Sequence, residues 1–172
     1  MPINRLNHAV LYVRDADRSA NFYTQKLGFR RLPLEFPGAV FLQAEGSSND
    51  HDLGLFSVGE AAADSPAGRG AVGLYHLAWE VDTLSDLARL GQVLSEAGAL
   101  VGATDHGSTK ALYGRDPDGI EFEISWLVPA GLLDETTAPT ARRLDIQAEI
   151  DRYGAETLGG VGVSRGPLTV DS

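Results

Sequence analysis

The 172 residues contain no cysteine. That absence removes disulfides, thiolate nucleophiles and sulfur-ligated zinc or iron–sulfur centres together, so any metal must be held by histidine and carboxylate. Histidine itself is scarce, with four in the chain. Nowhere is there an apolar run of the roughly 18 residues that a spanning helix requires, and no membrane partner is expected. The opening MPINRLNHAV reaches a strand-like pattern at once, without a basic region followed by an apolar signal core, so the protein is expected to be cytoplasmic. Basic residues are also few: 14 Lys and Arg stand against 24 Asp and Glu, giving a formal net charge of −10. Such a surface repels phosphate backbones, and nucleic acid is not an expected partner. What is present, 43% hydrophobic and 22% charged residues, is the composition of a soluble folded domain. The length allows one core, or two small halves sharing one.

The chain reads as two copies of one unit. LNHAVLYV (6–13) alternates so that His8, Val10 and Tyr12 share one strand face, while Ala9, Leu11 and Val13 share the other. Asp15 can cap a helix running through Ala16, Ala20, Tyr23 and Leu27 to Gly28, the expected left-handed terminator. Three short strands, at about 29–35, 39–44 and 53–58, complete a βαβββ unit. The small, Gly- and Pro-bearing stretch GEAAADSPAGRG (59–70) reads as a linker. The pattern then restarts: LYHLAWEV (74–81) parallels LNHAVLYV, with Leu6-x-His8 recurring as Leu74-x-His76. A helix over about 84–97 before Gly98, and strands at about 99–103, 110–115 and 120–127, give a second βαβββ unit. Leu144, Ile146, Ile150 and Tyr153 predict an amphipathic docking helix ended by Gly154, and the Gly-rich 155–172 reads as a flexible arm.

The expected organisation is therefore a domain over 1–130, with modules at about 5–58 and 73–127, and a C-terminal helix and flexible tail over 131–172. A lone histidine on a strand is most often an ordinary polar residue. Two histidines at the same place in repeated strands are different, and with a carboxylate on the last strand they are what a metal site built from both halves would require. On that strand Glu121 and Glu123 share one face, opposite Ile120, Phe122 and Ile124. A pair of buried acids there is costly unless a cation or base neutralises at least one of them.

Three motifs in order, LNHAVLYVRDADRSANFYTQKLGF, LYHLAWEV and DPDGIEFEISW, resemble the vicinal oxygen chelate superfamily over roughly residues 5–127. That superfamily includes glyoxalase I, bleomycin-binding and fosfomycin-resistance proteins, and type I extradiol dioxygenases. The resemblance implies an α+β fold: two βαβββ modules forming an incompletely closed mixed β-barrel around a metal site, here with a C-terminal helical tail. It implies His8, His76 and Glu123 as metal ligands, the third being the Glu four residues after the Gly of the D-P-D-G turn. Glu121 is the alternative two residues away.

Further residues resemble the small one-domain extradiol branch, of catechol 2,3-dioxygenase type: His51 beside an acid in NDHDLGLF, His106 in a His-Gly, and Tyr113 ten residues before Glu123. All four histidines then fall on family positions. The implied cofactor is Fe(II), with Mn(II) possible, and the implied partners are a catechol-type substrate and O2. Two imidazoles and one carboxylate leave open positions on iron, so that a catecholate can chelate while a place remains for O2. His51 would be the acid–base residue, Tyr113 would hydrogen-bond a catecholate oxygen, and His106 would orient the substrate. The competing enzyme readings are a metal-dependent glyoxalase or isomerase and a fosfomycin-type transferase, which would not need His51, His106 and Tyr113 together; the non-enzymatic one is a bleomycin-resistance-like binding protein, a group that typically lacks the metal triad. A homodimer or higher homo-oligomer is expected, with the tail helix or strand edges as contacts.

Overall fold

A computed structural model describes residues 3, 5–68 and 70–160. It divides into two units, the first spanning Met1–Ala71 with Asp116–Ile120, the second Val72–Arg115 with Glu121–Ser172.

In the first unit, strand β1 (Ala9–Val13) is followed by helix α1 (Ala16–Leu27) and strands β2 (Arg30–Arg31), β3 (Ala39–Gln43) and β4 (Leu53–Ser57). The helix starts where an Asx cap permits: the Asp15 carboxylate accepts from the Asp17 and Arg18 backbone N–H groups at 2.8 and 3.0 Å. It stops at Gly28, whose φ of 76° is left-handed and whose N–H closes on Tyr23 O. The sheet order is β1-β4-β3-β2, with β1 and β4 parallel and the other pairs antiparallel. Leu11, Val13, Leu42, Leu53 and Leu55 are buried, whereas Val10 and Tyr12 on the alternate face of β1 are exposed. The strand expected over 29–35 contracts to Arg30–Arg31, since Pro33 and Pro37 remove ladder donors beyond it.

The second unit repeats the order: β5 (Leu77–Glu80), α2 (Leu84–Glu96), β6 (Leu100–Asp105), β7 (Thr109–Arg115) and β8 (Glu121–Leu127), then β9 (Arg142–Arg143) and α3 (Ile146–Tyr153). Its sheet runs β5-β8-β7-β6-β9, again with the first and last strands of the repeat, β5 and β8, parallel. The two sheets are mixed and neither closes on itself, which is the expected α+β class. Packing rather than capping holds α2. Leu84, Leu87, Leu90 and Leu94 are all buried, each contributing about 1.5–3 kcal/mol, against about 1 kcal/mol for the Thr83 cap. Gly91 lets the helix approach β7 closely, for a Cβ there would meet Leu112 Cδ1 at 3.3 Å.

The tail helix docks on its own unit, as its amphipathic pattern predicts. Lys110, 1% exposed on β7, pairs with Asp105 at 2.6 Å and with Glu149 of α3 at 3.1 Å. Tyr153 packs against Trp126, and Trp126 Nε1–H donates to Thr157 O at 3.1 Å. The arm expected over 155–172 is described only to residue 160, where Ala155 O and the Gly159 N–H pair with Ser85 N and Asp82 O; the rest of that expectation lies outside the described residues. Among the described residues, no helix is long and apolar enough to cross a membrane.

Lys110→Ala removes the cation that Asp105 and Glu149 share and should cost about 3–5 kcal/mol in urea unfolding. Because Glu149→Gln removes one of those carboxylates, the double variant should lose less than the sum of the two single losses. Strict additivity would mean that the pair does not couple the tail helix to β7.

Candidate active site

Each unit brings some of the expected residues together. In the first, His8 immediately precedes β1 and His51 nearly precedes β4. The parallel pairing of those strands, Ala9 opposite Leu53, sets the two imidazoles side by side with ring centroids 4.4 Å apart. The edge of Phe41 meets His51 at 5.3 Å, and His8 Nδ1 lies 2.7 Å from Asn7 Oδ1. The loop carrying His51 is organised by Asp52, which is buried. Its carboxylate accepts from Ala44 N, Ser47 Oγ and Asn49 Nδ2, and Asn49 Nδ2 also donates to Asn7 O at 2.7 Å. Asp50 holds His51 from the other side, its Oδ1 lying 2.9 Å from the His51 backbone N and 3.3 Å from Nδ1. That backbone N–H keeps the Asp50 carboxyl below its ordinary range.

The second unit gathers the other four. His76 just precedes β5, and its Nε2 lies 3.1 Å from Glu123 Oε2 on the adjacent strand β8. Its Nδ1 is buried without a hydrogen-bond partner among the described residues. Tyr113, directly opposite Glu123 on β7, has its hydroxyl 2.9 Å from His106 Nε2. His106 Nδ1 lies 3.2 Å from Thr140 O. A carbonyl only accepts, so Nδ1 carries a proton, and in the neutral imidazole Nε2 is then the acceptor facing the Tyr113 hydroxyl, which also interacts with the Glu123 carboxylate. Burial, and then the negative charge of Glu123, push the Tyr113 phenol up to about 12, so it stays protonated at neutral pH.

The neighbouring carboxylates on β8 have separate partners. Glu121 faces Arg115 at 3.6 Å, while Glu123 faces His76 and accepts from Ser125 Oγ. Within either unit by itself, no three His, Asp or Glu side chains among the described residues stand close enough to hold a metal ion. The His76–Glu123 pair nevertheless fits a divalent cation. Its single ion-pair partner among the described residues being an imidazole, the Glu123 side chain is 12% exposed and has no permanent cation beside it. With metal–donor bonds of about 2.1 Å, two donors at right angles stand about 3 Å apart, the spacing found here.

The turn leading into β8 belongs to the first unit. Asp118 accepts from the Arg14 and Arg18 guanidinium groups at 3.0 and 2.6 Å, and Asp116 is buried against the Tyr23 hydroxyl at 3.3 Å. Arg14 also reaches Ala62 O and Asp64, so part of the expected linker is tied down.

A family model described as the Glyoxalase/Bleomycin resistance protein/Dioxygenase superfamily matches residues 5–124. The chain belongs to that superfamily. Among its relatives is a catechol-2,3-dioxygenase of Bacillus subtilis (strain 168), 30% identical over 119 residues, which are 69% of this chain and 40% of that protein. A second curated relative from the same organism is 27% identical over 151 residues, 47% of its length. The chain thus spans less than half the length of these curated relatives. Among solved structures, a glyoxylase/bleomycin resistance protein/dioxygenase domain from Frankia sp. EAN1pec is 25% identical with a TM-score of 0.60, covering 74% of this chain and all of that one. A lactoylglutathione lyase from Agrobacterium tumefaciens, 24% identical with a TM-score of 0.54 over 73% of this chain and 95% of its own, shares the fold. Superfamily members bind divalent metals, and they include dioxygenases and other enzymes.

Asp52, Asp50, Thr140 and Ser125 were not singled out for roles by the sequence. The Asp-His-Asp run and the shared face of Glu123 and Ser125 were the available signals for three of them; Thr140 had none.

Burial raises the Asp116 carboxyl above its ordinary value despite backbone N–H groups from Asp118 and Ile120 on Oδ1. The folded chain therefore prefers the protonated acid. That contribution to stability is intact below the ordinary carboxylate range and is lost as pH rises through the raised value. Asp116→Asn should accordingly gain stability relative to wild type as pH rises above the ordinary carboxylate range, as read from urea midpoints. A difference that stays constant through that rise would remove the assignment.

Proposed function

We propose that this chain is an Fe(II)-dependent extradiol ring-cleavage dioxygenase that inserts both atoms of O2 into a catechol-type substrate, with Mn(II) as the alternative metal. His8, His76 and Glu123 hold the metal in this reading. The observation that carries it is the His51 ring 4.4 Å from His8, which sets an acid–base group beside a metal ligand and is not needed by the isomerase or transferase chemistries. The dioxygenase name of a relative at 30% identity supports the same branch. Bound there, Fe(II) would supply the open positions at which a catecholate and O2 meet.

The chain's own residues do the rest. His51 takes the proton of the second substrate hydroxyl and returns it during ring opening, and Asp50 beside Nδ1 steadies the ring for that exchange. Tyr113, its hydroxyl 2.9 Å from His106 Nε2, hydrogen-bonds a catecholate oxygen. His106 thereby acts through Tyr113, its own Nδ1 anchored on Thr140 O, rather than on the substrate itself. Phe41 supplies an apolar edge beside His51 suited to an aromatic ring.

His8→Ala, His76→Ala and Glu123→Ala should each abolish stoichiometric metal binding, whereas Glu121→Gln, whose partner is Arg115, should retain it; metal analysis of the purified variants decides between the two carboxylates. His51→Ala should still bind Fe(II) and a catechol anaerobically, yet lose about a hundredfold or more in ring opening after mixing with O2. Unchanged ring opening would remove His51 from catalysis, and iron-loaded wild type inert toward a catechol panel would favour the isomerase or transferase reading. We also propose a homodimer or higher homo-oligomer, since Leu6, Tyr12, Leu74 and Tyr75 are large apolar side chains left exposed. Light scattering that gives an 18.3 kDa particle at micromolar concentration would overturn it.

A further inference from the structure

Glu121, Glu123 and Ser125 alternate along β8 and share one face. Their partners differ in a way that sorts the two acids. Glu121 is neutralised by Arg115. Glu123 has no such cation; instead the Ser125 hydroxyl donates a hydrogen bond to Oε1, the Tyr113 hydroxyl interacts with the same carboxylate, and Oε2 is the oxygen that faces His76 at 3.1 Å. Ser125 is itself 4% exposed, on a strand whose register sets Ala111 opposite it on β7 and Glu80 opposite it on β5. Its backbone carbonyl accepts from Val81 N at 2.9 Å, so the residue is fixed by the ladder before its side chain acts.

A glutamate side chain has three rotatable bonds and two equivalent oxygens. Left alone on a strand it samples several rotamers and can present either oxygen, or both. The hydroxyl of Ser125, which toward a carboxylate is purely a donor, occupies one oxygen and leaves a single one turned toward the imidazole. We propose that Ser125 is a positioning residue that locks Glu123 as a one-oxygen ligand, presenting Oε2 beside His76 for a divalent cation. This rests on the reading of Glu123 as a metal ligand. Hydrogen-bond partners of metal ligands set affinity through such orientation, and their loss typically costs about ten- to a hundredfold in binding.

The test is titration of the metal-free full chain with Mn(II), followed by calorimetry and by the electron paramagnetic resonance of the bound ion, for wild type, Ser125→Ala and Ser125→Thr. Ser125→Ala is nearly isosteric and should keep its thermal midpoint, yet bind Mn(II) about ten- to a hundredfold more weakly, with an altered resonance as Glu123 becomes free to offer both oxygens. Ser125→Thr restores the hydroxyl on a residue suited to a strand and should recover both readouts. Should the threonine fail to fold in this buried position, the alanine variant decides alone. Wild-type affinity and an unchanged resonance in Ser125→Ala would overturn the role of Ser125 while leaving Glu123 as a ligand. Absence of Mn(II) binding by wild type would overturn the ligand reading, and this inference with it.

Discussion

Everything at the candidate site depends on one topological fact that occurs twice: the first strand of each βαβββ repeat pairs in parallel with the last. Parallel neighbours require a crossover, and the helix α1 or α2 with the strands that follow it supplies that length of chain. The consequence is that the residue entering the first strand lies beside the residue entering, or carried on, the last. In the first unit this sets His8 against His51. In the second it sets His76 against Glu123. Neither pair is close in sequence, and neither needs a special loop.

The polar shell then differentiates residues that the strand pattern alone would leave equivalent. Two carboxylates share a face of β8, and Arg115 and Ser125 give them different fates. Tyr113 on β7 and His106 before it become a hydrogen-bonded chain anchored at the Thr140 backbone carbonyl, which fixes a proton on His106 Nδ1. Tyr113, pushed up to about 12 by burial and by Glu123, is held as a neutral hydroxyl through the physiological range. The site chemistry is therefore carried by short neutral donors around a small number of anions, in a chain whose net charge of −10 leaves many more acids than bases to be placed.

Most of this framework could be read from the sequence because it follows local rules. Asp15 and Gly28 bound α1 through capping and left-handed geometry, which depend only on neighbouring residues. The alternation in LNHAVLYV marks which face of β1 is buried, and Leu6-x-His8 with Leu74-x-His76 marks the repeat. Pairing of His106 with Tyr113 was not legible, because the ring is anchored by Thr140, far along the chain and without any periodic signature. The same holds for Lys110 and Glu149, whose ion pair joins a strand to the tail helix. Residues 74–76 read as strand but lie outside β5, which begins at Leu77; Leu74 and Tyr75 are exposed there and contribute no packed face.

The buried lysine also imposes an order of events on a chain emerging from the ribosome. Lys110 follows Asp105 by five residues, but its second carboxylate, Glu149, lies in a helix made much later. Likewise the turn Asp116–Ile120, which groups with the first unit, is synthesised only after strands β5, β6 and β7 of the second unit. The first unit therefore waits for a turn that lies inside the sequence of the second.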